Sequence, residues 1–276
     1  MNFGTLHSQG SIKINISQAI FLGIIQGVTE FLPISSSGHL VFFQSLFGMR
    51  ESQLFFDVML HLGTLLTVVV YFRADIWKIV QAIATMLKGK GGSQWEAKLL
   101  LWIIVATIPT GLMGILFRDW FESLFLKPKI VGVMLLITGL VLYLTRWTKR
   151  EGRKIEKMGW VDSILIGIAQ GLAIIPGISR SGATISTGLF CGLDRELSAK
   201  FSFLLSIPAI LGATFLEFRK IEPGVEIWTG LIGMMIAFLV GLFSLTFLVR
   251  MIKLGLVGRF SYYCWLLGVI IIILTR

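Results

Sequence analysis

Charge is scarce in this chain. Asp, Glu, Lys and Arg make up 14% of its 276 residues, hydrophobic residues make up 55%, and the mean hydropathy is +0.84. So little charge excludes an ordinary soluble domain and leaves a polytopic membrane protein. Cysteine is nearly absent. Cys191 and Cys264 are far apart and lie in or beside apolar segments, which argues against a disulfide framework or a cysteine-based metal site. Histidine occurs three times. Without a dense cluster of His and carboxylates, a tight two-metal centre is not expected. His7 sits in the polar N-terminal tail and carries no specific role. The first twenty residues lack a basic stretch followed by an apolar run and a small-residue cleavage site, so the first apolar segments are expected to stay in the mature chain. The charge that is present is mostly basic, with a net of +10. In a soluble protein that would suggest nucleic acid. In a membrane protein it marks loops held on the cytoplasmic side and contact with anionic lipid, and no nucleic-acid partner is expected.

Six apolar runs are long enough to cross a bilayer: 54–72, 97–117, 130–147, 198–217, 228–249 and 260–275. Two more, 16–32 and 162–176, are short. Each runs into a Pro and a Ser/Gly turn and then a second short piece, 38–48 or 182–193. These read as re-entrant helix–turn–helix pairs, since irregular backbone at membrane depth survives only inside protein or beside water. The alternative is a pair of ordinary spans with Pro kinks.

The two turns are copies of one segment. LGIIQGVTEFLPISSSG at 22–38 and IGIAQGLAIIPGISRSG at 166–182 are offset by 144 residues and identical at eight of seventeen positions. The six-span reading divides the loops into two faces. One face, with both termini, holds Lys13, Arg50, Arg118, Lys127, Lys129, Arg219, Lys220 and Arg276, eight cations in all. The other holds sixteen, with Arg180 left aside, six of them in 146–157. The richer face is expected to be cytoplasmic, with both termini outside. Three spans separate the copies, so they enter from opposite faces. The expected fold is an all-α integral membrane protein. It has six transmembrane helices plus two re-entrant helix pairs in an inverted-topology repeat. One domain covers 1–276, with halves at about 16–147 and 160–276.

The first copy continues from Gln26 to Glu30, four residues on and therefore on the same helix face, then to Ser35, Ser36, Ser37, Gly38 and His39. A carboxylate at this depth costs about 2.5–3.5 kcal/mol on insertion scales, which calls for a paired, functional role. Ser35 to Gly38 precede a helix start, where free N–H groups and the helix dipole favour an anion. Ser runs are also ordinary helix caps. The second copy places Ser179, Arg180, Ser181 and Gly182 at the matching positions, with Arg180 opposite Ser36. An Arg in such a turn reads either as a two-pronged phosphate ligand or as a structural partner of Glu30. Together the turns supply the parts for attack on a phosphoryl group. Asp57 and His61, at i and i+4 on the first span, either line that site or hydrogen-bond to each other within the helix. A single loosely held Mg²⁺ or Ca²⁺, bridging Glu30 and substrate phosphates, suits this donor set.

Four stretches carry a family resemblance: QGVTEFLPISSSGH at 26–39, PGISRSG at 176–182, DVMLHLGTLLTVVVYF at 57–72 and ATIPTGLMGILF at 106–117. The chain resembles the bacterial undecaprenyl-diphosphate phosphatases of the bacitracin-resistance type from about residue 16 to its end. The resemblance implies a multi-pass enzyme of the bacterial inner membrane. It implies hydrolysis of undecaprenyl diphosphate to undecaprenyl phosphate and inorganic phosphate, recycling the carrier for cell-wall synthesis. The family's acidic motif falls on Gln26 and Glu30, its serine and histidine on Ser36 and His39, and its arginine on Arg180. Its first acidic position is often Glu, so Gln26 removes one negative charge. Glu30 is then the expected metal ligand, with Gln26 a weaker second. Gln26, Ser35, Ser37, Gly38, Ser179, Ser181 and Gly182 would hold the diphosphate. The polyprenyl tail would lie in a groove open to lipid. Either Ser36 attacks, with His39 or Glu30 as base, or Glu30 and His39 activate a water.

A transporter would use the same turns as a binding site without chemistry. A phosphatidic-acid-type phosphatase needs a second His some six residues beyond its Ser-Arg pair. Ser186 stands about there, and no His follows His61. The charge count places the Glu30 turn on the outer side, so an outward-open site is expected. A homodimer is compatible with the sequence, but no feature demands one.

Overall fold

The computed structural model describes residues 14–49, 54–87, 94–125, 127–149, 151–218 and 227–275. His7 and the loop cations Lys13, Arg50, Lys88, Lys90, Arg150, Arg219, Lys220 and Arg276 lie outside the described residues. The described chain is helical, with no β-strand beyond one isolated bridge between Arg153 and Leu193. Five helices are long and apolar enough to cross a membrane: α5 (Gln94–Leu116), α7 (Pro128–Leu144), α10 (Arg195–Phe218), α11 (Ile227–Lys253) and α12 (Phe260–Leu274). A sixth span is counted if α3 (Leu54–Tyr71) is taken with α4 (Arg73–Leu87), from which it bends by 74°. The chain is thus an all-α, multi-pass membrane protein. The two short pairs also form: α1 (Ile16–Thr29) with α2 (Ser36–Leu46), and α8 (Trp160–Leu172) with α9 (Arg180–Phe190).

Two helices occupy stretches expected to be loops. One is α4, which exposes Trp77, Val80 and Ile83 at three-residue spacing, the pattern of an interfacial helix. The other is α6 (Arg118–Phe125), which buries Phe121 and Leu124 near Ile175 and turns Arg118, Asp119 and Glu122 away from that cluster. Both are amphipathic and short, so a search for long apolar runs passes over them.

Small residues set how the helices meet, as expected where lipid removes any hydrophobic drive between them. α1 packs along α11, and α8 along α5. Each short helix therefore lies on the second long span of the other half. Its paired glycines make this contact. A Cβ on Gly23 would come within 2.8 Å of the Gly233 carbonyl, and one on Gly27 within 2.8 Å of the Ala237 carbonyl. Gly167 lies as tightly on the Ala106 carbonyl, and Gly171 on the side chain of Met113. Hydroxyls join the same pairs: Ser244 Oγ donates to the Val28 carbonyl (2.8 Å), and Thr110 Oγ1 to the Gly167 carbonyl (2.8 Å). α7 and α12 close together through Gly132 and Gly268, whose missing Cβ atoms would each sit 2.8 Å from the other's carbonyl. The lipid-facing side is apolar. α5, for example, exposes Leu101, Ile104, Ile108, Leu112 and Ile115 along one stripe.

Candidate active site

Glu30 closes the C-terminal end of α1, with its N–H bonded to the Gln26 carbonyl. Arg180 opens α9 at its first residue. Each charge sits at the helix end whose dipole repels it, so neither is there to stabilise its own helix. They neutralise each other across the two turns. Arg180 Nη2 lies 2.6 Å from Glu30 Oε1, and both side chains are largely buried. Breaking a buried pair by removing one partner is costly, about 3–5 kcal/mol, because the other charge is left uncompensated.

The remaining carboxylate oxygen of Glu30 is also engaged. Ser36 Oγ donates to Oε2 at 2.6 Å, and Gln26 Nε2 donates to the same atom at 3.0 Å. His61 Nε2 stands 3.8 Å from it. Two buried atoms in this cluster have no hydrogen-bond partner among the described residues: Arg180 Nη1 and Gln26 Oε1. The Gln26 assignment follows from chemistry, since an amide must turn its N–H₂ toward a carboxylate, which leaves the oxygen facing away.

The turns are built alike. Ser35 Oγ accepts from the Gly38 N–H (3.2 Å) and lies 3.3 Å from Ser37 Oγ; Ser179 Oγ accepts from the Gly182 N–H (3.1 Å) and lies 3.3 Å from Ser181 Oγ. They also touch at repeat-related positions. A Cβ on Gly38 would come within 3.3 Å of Gly177 Cα, and one on Gly182 within 3.3 Å of Pro33 Cβ. Ser181 Oγ donates to the Leu32 carbonyl across the gap (3.4 Å). They differ in one respect. Ser35 has φ +68, a left-handed backbone that a non-glycine residue adopts at a cost, whereas Ser179 has φ −76. The strain lies beside Ser36, the hydroxyl aimed at Glu30.

His39 is not part of the Glu30 hydrogen-bond set. Its Nδ1 donates to the Ser35 carbonyl at 2.7 Å, and its Nε2 faces the Tyr263 hydroxyl at 2.8 Å, with the two rings stacked at 5.8 Å. A carbonyl only accepts, so Nδ1 carries the proton, and in a neutral ring Nε2 accepts from Tyr263. Asp57 and His61 stay joined, but through the Asp57 backbone and not its carboxylate. Asp57 Oδ1 takes a 2.7 Å hydrogen bond from Gln44 Nε2, and His61 Nδ1 bonds the Asp57 backbone carbonyl (2.8 Å), which turns Nε2 toward Glu30.

The sequence pointed to Gln26, Glu30, Ser36, His39 and Arg180 as one site; the fold hydrogen-bonds Gln26, Ser36 and Arg180 to Glu30 and holds His39 apart, on Ser35 and Tyr263. It did not point to Tyr263, Gln44 or Thr138. Thr138 Oγ1 donates to the Gly177 carbonyl and accepts from the Ser179 N–H, pinning the second turn to α7. A Tyr near the end of a span reads as an interfacial anchor, so Tyr263 gave no separate signal.

The family described as Bacitracin resistance protein BacA matches residues 19–270. A protein of Carboxydothermus hydrogenoformans named undecaprenyl-diphosphatase is 44% identical over 267 residues, covering 95% of this chain and 98% of the relative. One of Halothermothrix orenii with the same name is 46% identical over 266 residues, covering 95% and 99%. One of Korarchaeum cryptofilum, again so named, is 43% identical over 265 residues, covering 94% and 99%.

Proposed function

Since this chain belongs to the Bacitracin resistance protein BacA family, we propose that it removes the terminal phosphate of undecaprenyl diphosphate at the Glu30–Ser36–Arg180 cluster. It is a membrane-embedded undecaprenyl-diphosphate phosphatase. Its product, undecaprenyl phosphate, returns to cell-wall synthesis, and consumption of the diphosphate lowers sensitivity to bacitracin. The observation that carries the site assignment is the 2.6 Å contact of Ser36 Oγ with Glu30 Oε2, while Arg180 holds the other oxygen.

The diphosphate lies between the two turns, where Arg180 Nη1 is free to bind a phosphate oxygen. As Arg180 turns to the substrate, Glu30 loses part of its neutralising partner and becomes the stronger base. Ser36 Oγ then attacks the terminal phosphorus and passes its proton to Glu30. The bond from that phosphorus to the bridging oxygen breaks, and undecaprenyl phosphate leaves with the electron pair. Glu30 releases its proton to solvent, with His61 the nearest relay. Water next attacks the phosphoserine, Glu30 takes the water's proton and returns it to Ser36 Oγ, and inorganic phosphate departs. Ser36 begins α2, whose positive end favours negative charge on that oxygen. His39 orients the turn, its two ring nitrogens taken up by Ser35 and Tyr263 and not by Ser36.

The donors fit a loosely held divalent cation. Gln26 Oε1 is buried with no partner among the described residues, on an amide whose N–H₂ meets the Glu30 carboxylate. With the Gln26 amide turned over, its oxygen and the Glu30 carboxylate would hold Mg²⁺ or Ca²⁺ together with substrate phosphates, and the bound ion would neutralise phosphate charge.

The cation distribution along the chain supports a cytoplasmic placement for 73–98, 146–200 and 250–259, with both termini outside. The halves at about 16–147 and 160–276 are then inverted repeats, and the site opens outward. The swapped pairing of α1 with α11 and of α8 with α5 supports this reading. The test is rapid quenching of the enzyme with undecaprenyl diphosphate, followed by peptide mass spectrometry. A phosphorylated Ser36 peptide that forms and decays within a turnover is expected. Full turnover by Ser36→Ala would remove Ser36 as nucleophile.

A further inference from the structure

A cavity of about 700 Å³ lies at a place the reaction does not use. Three helix ends and one loop build it. Trp95 comes from the start of α5, Arg195 and Lys200 from the start of α10, Lys253 and Leu254 from the end of α11, and Lys154 from the segment before α8. It shares no residue with the Glu30–Arg180 cluster. We propose that this cavity binds a phosphate group, either the headgroup of an anionic lipid or free inorganic phosphate.

Charge is the first argument. Four cations line the cavity, against Asp194 and Glu196. Both acids are already engaged. Asp194 Oδ1 caps α10 by accepting from the Leu197 N–H (2.7 Å), and Glu196 pairs with Lys253 at 3.5 Å. Lys200 is held by Asp75 at 2.8 Å and lies over the Trp95 ring at 5.1 Å. Lys154 and Arg195 have no carboxylate partner among the described residues. Two cations facing one concavity repel each other, and an anion between them relieves that repulsion.

Rigidity is the second argument. The segment bearing Lys154 is fastened on both sides of its backbone. The Arg153 N–H donates to the Gly192 carbonyl (2.7 Å), and the Asp194 N–H to the Arg153 carbonyl (3.0 Å). The Arg153 side chain adds a 2.7 Å bond to Asp162. Arg195 lies flat on the backbone at Gly255, whose φ of +73 and missing Cβ leave room for the guanidinium. The cations are thus placed before any ligand arrives, which lowers the ordering cost of binding.

The third argument is the wall. Trp95, Ile155, Leu197 and Leu254 give the cavity an apolar side, and Leu254 is 58% exposed. Charge beside apolar surface at the ends of membrane spans matches a lipid headgroup with its first methylenes. The site is independent of the phosphatase reading.

The detergent-purified full chain is to be examined by native mass spectrometry with phosphatidylglycerol, phosphatidylcholine or inorganic phosphate, beside Lys154→Ala/Arg195→Gln. Wild type is expected to retain phosphatidylglycerol over phosphatidylcholine, and the double variant to bind it on the order of tenfold more weakly. Phosphate release in neutral detergent should stay unchanged in the variant. Binding of inorganic phosphate with the same sensitivity to the variant would make free phosphate the ligand. Equal phosphatidylglycerol retention by wild type and variant, with no phosphate binding, would overturn the proposal. If the double variant misfolds, Lys154→Arg/Arg195→Lys decides. It must keep the binding, and its failure to do so while folded would overturn the proposal as well.

Discussion

Gly27→Ala is expected to damage the site from a full helical turn away. The added Cβ would lie 2.8 Å from the Ala237 carbonyl and 2.8 Å from Val240 Cβ, and the backbone N of Gly241 is 3.0 Å away. Two of these three atoms are backbone, so no side chain can swing aside to make room. An ordinary contact begins at 3.4 Å, so α1 must back away from α11 by about 0.6 Å. Glu30 ends the same helix and moves with it. Its 2.6 Å contacts with Ser36 and Arg180 would stretch toward ordinary hydrogen-bond length. Misplacement by about 1 Å costs roughly 10²-fold in rate, so a loss of about tenfold in kcat is expected here. Overpacking should add about 1–3 kcal/mol of destabilisation. Gly171→Ala, the repeat-related change, meets the flexible side chain of Met113 and should cost less. Gly111→Ala is the control. Nothing lies within 4 Å of its Cβ, and Ala favours the helix by about 1 kcal/mol over Gly. The assay is phosphate release from undecaprenyl diphosphate, with thermal unfolding in the same detergent. Wild-type rate and melting in Gly27→Ala would refute this reasoning, and so would equal damage from Gly111→Ala.

Tyr263→Phe removes the hydroxyl facing His39 Nε2. One hydrogen bond of about 1 kcal/mol predicts a loss near fivefold in kcat with KM little changed, read from steady-state phosphate release. EDTA should abolish turnover and leave the melting temperature unchanged, with activity restored by Mg²⁺ or Ca²⁺; a loosely held ion contributes to chemistry more than to folding. Asp162→Asn weakens the 2.7 Å bond to Arg153. Arg153 is 39% exposed, so the loss in stability should stay near 1 kcal/mol, with phosphate release unaffected.

The long spans and both short helix pairs were legible because each is marked by one strong signal: an apolar run, or a Pro and Ser/Gly turn within one. The helices α4 and α6 were not, since their pattern is amphipathic and their charge reads as loop. The meeting of Glu30, Ser36 and Arg180 was legible because the repeat placed Arg180 opposite Ser36, and Glu30 was the carboxylate left needing a partner. The sequence left His61 balanced between two roles. In the fold it has a part in both: Nδ1 bonds the Asp57 backbone carbonyl within the helix, and Nε2 stands 3.8 Å from Glu30. Tyr263 is 224 residues from His39 and belongs to neither copy of the repeat. Only packing of α12 near α2 reveals that pair, and spacing along the chain carries no trace of it. The strain at Ser35 was equally hidden, because its repeat mate Ser179 has the same identity and a relaxed backbone.

The most direct measurement is phosphate release from undecaprenyl diphosphate by the purified protein, beside Glu30→Gln and Arg180→Ala. Release by wild type and a loss of about 10² or more in each folded variant is the predicted result. Unimpaired release by both variants would contradict the claim that the two turns form the catalytic site.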